Sequence, residues 1–167
     1  MNTYLSAVNQ RRYFASLLLE QLVAVEGGGC NPLLNQALCQ SVLYQLQAAY
    51  RFYLCEVATT YKCREPEQIQ TVEALIEALQ VMGKHPAEAS EMANLEQQEG
   101  SWLYELLSAY RTLSSVQQEQ VSQQSQIAVV QVTAEREAPE LSCELLSSWR
   151  DAFDELIERH RQHMLEC

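Results

Sequence analysis

The sequence predicts an all-α protein, a single bundle of about five helices around one long central helix, with one short extended segment near residues 127–133. Three observations predict it. Apolar residues recur at steps of three and four through most of the 167 residues, the spacing that gathers them on one helix face. The prolines Pro32, Pro66, Pro86 and Pro139 stand at the heads of such segments, where their missing amide hydrogen loses no helical bond. The glycines, Gly27-Gly28-Gly29, Gly83 and Gly100, stand near segment ends or joints.

The first helix is expected from Asn2 or Thr3 to Glu26, on a stripe of Leu5, Val8, Ala15, Leu18 or Leu19, Leu22 and Val25. Arg12 interrupts that stripe, and Tyr4, Tyr13, Phe14 and Leu17 widen it. Asn31-Pro32 is a strong helix start, because Asn caps open amides and Pro suits the first turn. From there to Cys63 nothing breaks the helix, which would span about 45–48 Å at 1.5 Å per residue. Leu38, Val42, Leu46, Ala49, Tyr53, Val57 and Tyr61 form one stripe, and Leu34, Leu43, Tyr50, Leu54 and Ala58 a second. A helix apolar over so much of its circumference belongs at the centre.

Glu65-Pro66-Glu67 is expected to open a third helix with Ile69, Val72, Ile76, Leu79 and Met82 on its inner face, ending at Gly83. His85-Pro86 restarts the chain into a weaker helix with Ala89, Met92, Ala93 and Leu95. Beyond the joint at Gly100-Ser101, Trp102, Leu106, Tyr110 and Leu113 form a further stripe. Residues 114–126 are Ser/Gln-rich and nearly uncharged, which predicts a mobile connection. The β-branched run from Ile127 to Thr133 suits an extended segment, lying along a groove or against another copy. Pro139 opens the last helix, whose inward positions are Leu145 or Leu146, Trp149, Ala152 or Phe153, Leu156 or Ile157, and His160 or Met164. The mobile stretch is too short to divide the chain, so residues 1–167 read as one domain.

A chain of this length buries roughly two thirds of its unfolded surface. With 47% apolar and 20% charged residues it is no disordered protein, and its core requires neither disulfides nor a structural metal. The longest apolar runs, Leu17–Leu19 and Leu22–Val25, are split by Glu20 and Gln21, so no segment spans a bilayer. Arg11 and Arg12 before those runs give a superficial likeness to an export signal. The same two polar residues break it, however, and the glycine triplet is no cleavage site. The six cysteines, Cys30, Cys39, Cys55, Cys63, Cys143 and Cys167, form no CxxC pair, and in an unexported chain they read as reduced thiols. The expected location is the cytoplasm. A formal charge of −11 opposes binding to nucleic acid or anionic membrane.

Three stretches, Gly100-Ser101-Trp102-Leu103, Ile127-Ala128-Val129, and the Trp149 helix ending in Met164-Leu165-Glu166, are where the chain resembles a family of uncharacterised gammaproteobacterial helical proteins, best over its second half. The resemblance implies a bacterial cytoplasmic protein of unknown function and carries over no active residues.

Among possible chemical constellations, His160, His163 and Cys167 stand at steps of three and four, which sets three potential metal ligands on neighbouring turns of one helix face. The competing reading is a polar helix end with cations at the negative dipole pole and a frayed terminal cysteine. Arg159-His160-Arg161-Gln162-His163 resembles the Arg-polar-x-x-x-His arrangement of HEPN-type ribonucleases, in which arginine and histidine act on RNA phosphate. Its interval is one residue short, and together with the acidic charge this sets that activity aside. The Glu-x-x-His pairs of di-iron bundles do not occur, and Glu73, Glu77, Glu88, Glu91, Glu96 and Glu99 read as a solvated face. Gly27-Gly28-Gly29-Cys30 lacks the lysine and hydroxyl of a P-loop, and no histidine neighbours Cys30 as a base. Tyr44, Tyr50, Phe52, Tyr53 and Tyr61, with Arg51 among them, could line a ligand pocket, although tyrosines more often pack in a core.

The leading expectation is a non-enzymatic helical protein acting through protein contact, self-association included, with no catalytic residues, no cofactor and no metal. The alternative is a small-molecule- or metal-binding bundle, possible as an enzyme, which a cluster of Tyr, Arg and Glu around a cavity would favour. On the last helix, Trp149 is expected to anchor the core and His163 to be silent.

Overall fold

A computed structural model describes residues 3–28, 31–122 and 140–166. The described residues are all-helical: α1 (Thr3–Gly27), α2 (Pro32–Thr60), α3 (Val72–Val81), α4 (Ala87–Gln97), α5 (Trp102–Ser122) and α6 (Cys143–Glu166), with a 3-10 turn at Pro66–Gln68. The Ser/Gln-rich stretch begins inside α5, which continues through Ser122. Its remainder and the expected extended segment near 127–133 lie outside the described residues, as do Cys30, Pro139 and Cys167.

The central helix is α2, as its two apolar sides require. It packs against α1, α3, α5, α6 and the 3-10 turn. Its side chains are buried without a break from Tyr53 to Ala58, which leaves it no solvent side there. Asn31 caps it, accepting from the Leu33 amide at 3.1 Å, and Pro32 fills the first helical position. The helix stops at Thr60, three residues before the expected Cys63. The Cys63 amide donates to the Ala58 carbonyl at 2.8 Å and the Lys62 amide to Thr59 at 3.0 Å, the paired bonds of a Schellman ending. Lys62 takes the left-handed conformation, φ 62°, that glycine would ordinarily supply there, so composition gave no stop signal. α3 closes with the same pair of bonds, Lys84 to Leu79 and Gly83 to Gln80, around a conventional glycine at φ 68°.

α3 also begins later than expected. Pro66 opens only the 3-10 turn, Ile69 is buried but extended, and Thr71 caps the true helix by accepting from the Ala74 amide at 3.2 Å. Its inner face is therefore Val72, Leu75 and Leu79, while Met82 is exposed. Serines start the two long C-terminal helices, Ser101 accepting from Tyr104 and Ser142 from Leu145, each at 3.1 Å. α6 then buries Leu146, Trp149, Phe153, Leu156, Ile157 and His160.

α1 differs most from expectation. Val8, Ala15, Leu19 and Leu22 are buried against α2 and α6, but Tyr13, Phe14 and Leu17 do not widen that face. They lie on the opposite, outer side and remain exposed. The interruption at Arg12 has a partner across the bundle: its guanidinium meets Asp154 at 2.6 Å and Glu158 at 3.1 Å, tying α1 to α6.

Candidate functional site

The C-terminal turns of α6 carry Arg159, His160, Arg161 and His163 into a seam against α2 and α4. Arg161 sits bidentate on Glu56, with N–O distances of 2.8 and 2.9 Å, and also donates to Asn9 of α1 at 3.0 Å. Burial alone would lower the arginine's pKa, but the hydrogen bond and charge of Glu56 outweigh it and raise the value. Glu56 itself is only 2% exposed, and the guanidinium fork satisfies both its oxygens.

Two parallel rungs link α6 to α4. His160 Nε2 lies 2.8 Å from Glu91 Oε2, and His163 Nδ1 lies 2.6 Å from Glu88 Oε1, three residues further along α6 and three residues earlier in α4. Arg159 also meets Glu91, at 2.5 Å. His160 Nδ1 stands 2.9 Å from the Tyr53 hydroxyl, whose pKa is raised chiefly by burial and then by the charge of Glu56, partly offset by Arg161. The imidazole of His160 thus bridges Tyr53 of α2 and Glu91 of α4 through its two ring nitrogens.

Glu88 is 1% exposed and also accepts from the Tyr61 hydroxyl at 3.1 Å. Burial pushes its carboxyl up, but hydrogen bonds from His163, its own backbone amide and Tyr61 prevail, and its pKa falls below the ordinary 4.5. His163 also borders an open cleft of about 570 Å³ with Tyr61, Lys84 and His85. There the Lys84 ammonium donates to the Tyr61 carbonyl at 2.8 Å and so caps α2.

This geometry revises the sequence expectations. His160 and His163 do share one side of α6, but each meets a carboxylate. Cys167 lies outside the described residues, and no group of three or more His, Cys, Asp or Glu among the described residues could hold a metal ion. His163 is not a loose helix end, since it covers a buried acid. Glu88, Glu91 and Glu96 are not a solvated face either: Glu88 and Glu91 form the rungs, and Glu96 accepts from Tyr50 at 2.6 Å. Glu56 was missed altogether. Its signal was a lone acid inside the apolar run from Tyr53 to Ala58, answered by an arginine on the last helix. Among the described residues no buried side-chain nitrogen or oxygen lacks a partner, so the buried part of the seam is fully hydrogen-bonded. The long-helix aromatics disperse: Tyr53 and Tyr61 enter the seam, Phe52 packs near Tyr4, and Tyr44 packs edge-on against Tyr110.

One family model matches residues 1–167, the entire chain. The chain belongs to DUF6586, a family of unknown function. The resemblance drawn from the second half thus extends over the whole sequence. No curated protein and no solved structure matches it.

For this DUF6586 chain the seam carries an acid-stability prediction. A carboxyl whose folded pKa is depressed contributes stability that is present above its unfolded pKa and lost as pH falls through the folded one. Glu88 is such a group. Glu96 works the other way, because burial and the nearby charge of Glu73 leave its pKa raised despite the Tyr50 hydrogen bond and Arg111. Urea denaturation from about pH 7 to about pH 3 should therefore show a loss of stability that is shallower in Glu88→Gln. Equal slopes in parent and variant would remove Glu88 as a source of the acid sensitivity.

Proposed function

We propose that this is a non-enzymatic cytoplasmic protein that acts through protein contact, pairing with a second copy of itself along the outer face of α1. The observation that carries this reading is an exposed stripe of Ser6, Gln10, Tyr13, Leu17, Gln21 and Ala24, with Phe14 at its edge. Tyr13 alone is 61% exposed. The steps of four, three, four, four and three keep these residues on one side of the helix.

The stripe is free of charge in a protein whose formal charge is −11. Two acidic bodies approach at least cost where neither carries charge. An antiparallel two-fold centred between Tyr13 and Leu17 sets each Tyr13 against the partner copy's Leu17 and each Ser6 against its Ala24. Glu20 then faces Gln10 rather than another acid. This self-complementarity is what an isologous interface requires, and it selects a second copy over an unrelated partner. The unbridged thiols of Cys55, Cys63 and Cys143 suit a reducing compartment.

Sedimentation equilibrium across the micromolar range should give twice the chain mass for the parent and the single-chain mass for Leu17→Glu, with unchanged helicity. Val81→Glu, at a residue 89% exposed elsewhere on the surface, should leave the dimer intact. A monomeric parent, or a Leu17→Glu variant as dimeric as the parent, defeats the proposal.

A further inference from the structure

On the side of α2 turned away from α1, a second cleft collects charge of both signs. α1 packs where Arg11 reaches Gln45 and Tyr4 meets Phe52. Tyr50 and Arg51 open on the other side, into a cleft of about 280 Å³ between α2, α3, α4 and α5. Arg51 and Arg111 line it together with Glu73 and Glu96, and Leu107 and the ring of Tyr110 form an apolar wall.

Although the charge of Arg111 is felt at Glu96, these four groups close no contact ion pair with one another. Arg51 contacts the Gln70 amide oxygen, and Arg111 donates to the Leu107 carbonyl at 3.3 Å. Among the described residues neither forms an ion pair, although Arg12, Arg150, Arg159 and Arg161 all do. On the acidic side, Tyr50, 3% exposed, fixes Glu96 by its 2.6 Å hydrogen bond. Glu73 stands near enough to Glu96 for its charge to be felt there. Two guanidiniums and two carboxylates thus line one small space without a contact ion pair among them.

We propose that this cleft binds a small zwitterion of the free α-amino acid class with an apolar side chain. Its carboxylate would meet Arg51 and Arg111, whose planar forks suit that group. Its ammonium would meet Glu73 and Glu96, and its side chain would lie on Leu107 and Tyr110. A volume near the lower end of ligand pockets restricts the site to a molecule of that size. The site is independent of pairing through α1.

Calorimetric titration of the full chain with L-leucine and L-phenylalanine tests this, using isopentylamine and 4-methylpentanoate as the single-charge counterparts of leucine. At least one amino acid should bind saturably, with leucine's counterparts weaker than leucine by about tenfold or more if it is the ligand, since each loses a charge-assisted contact. Arg111→Gln and Glu73→Gln, both at exposed positions, should each weaken amino acid binding by a similar factor. Binding should persist in the monomerising variant Leu17→Glu. Saturable binding of neither amino acid, binding of a single-charge counterpart as tight as that of leucine, or indifference to both substitutions would each overturn the proposal.

Discussion

Replacing Arg161 by methionine should destabilise the protein by about 3–5 kcal/mol, because it leaves a buried carboxylate without its counter-charge. Glu56 is shielded on every side by α2 and its neighbours, and the guanidinium of Arg161 supplies both of its charged hydrogen bonds. Replacing both partners, Glu56→Met with Arg161→Met, should recover most of the stability, since an apolar pair of similar volume removes the desolvation cost along with the attraction. Urea denaturation of the two single variants and the double variant completes the cycle. An Arg161→Met variant within about 0.5 kcal/mol of the parent, the range of ordinary surface changes, would mean that water reaches Glu56.

Trp149→Ala should cost a similar amount, about 3–5 kcal/mol, for a different reason. Its indole is buried on the α6 face shared by Leu146, Phe153 and Leu156, and removing it leaves a cavity that the rigid helices around it fill only in part. His163→Ala on the same helix gives the informative contrast. The sequence alone made it a silent surface change, but its ring covers Glu88, so its loss should cost about 1–3 kcal/mol. The expected order in denaturant melts is Trp149→Ala, then His163→Ala, then the parent. A cost below about 0.5 kcal/mol for His163→Ala would return it to the exposed helix end that its position suggests.

The helices were legible because the signals that define them are local. Asn31-Pro32, the glycines and the three-four spacing are written within a few residues of where they act, and they locate α2 and its central place. The two boundary errors share one cause. At Lys62 a non-glycine residue takes the left-handed ending, and at Pro66 a start signal is spent on a 3-10 turn before Thr71 caps the helix. Both choices are settled by what Cys63 and Ile69 bury, which is a tertiary matter. The seam was illegible for a stronger reason. Glu56 and Arg161 lie 105 residues apart and Asn9 and Arg161 lie 152 apart, so no window of sequence contains the pair. An acid at a helix surface looks the same whether it meets water or a distant guanidinium. Tyr13, Phe14 and Leu17 misled in the opposite sense: apolar residues were assigned to the core because nothing in one chain marks a second apolar side.

The basic side chains that close the seam all belong to the last helix, and this gives the protein an order of assembly. During synthesis α2 and α4 leave the ribosome long before Arg159, His160, Arg161 and His163 have been joined to the chain. Until then Glu56, Glu88 and Glu91 have none of the α6 partners that later hold them, and their hydration opposes premature closure of the α2 end of the core. Arrival of α6 supplies these partners and the buried indole together. The C-terminal helix thus acts as a fastener that engages last, and a nascent chain stopped short of it would keep its acids in water and its central helix unsealed.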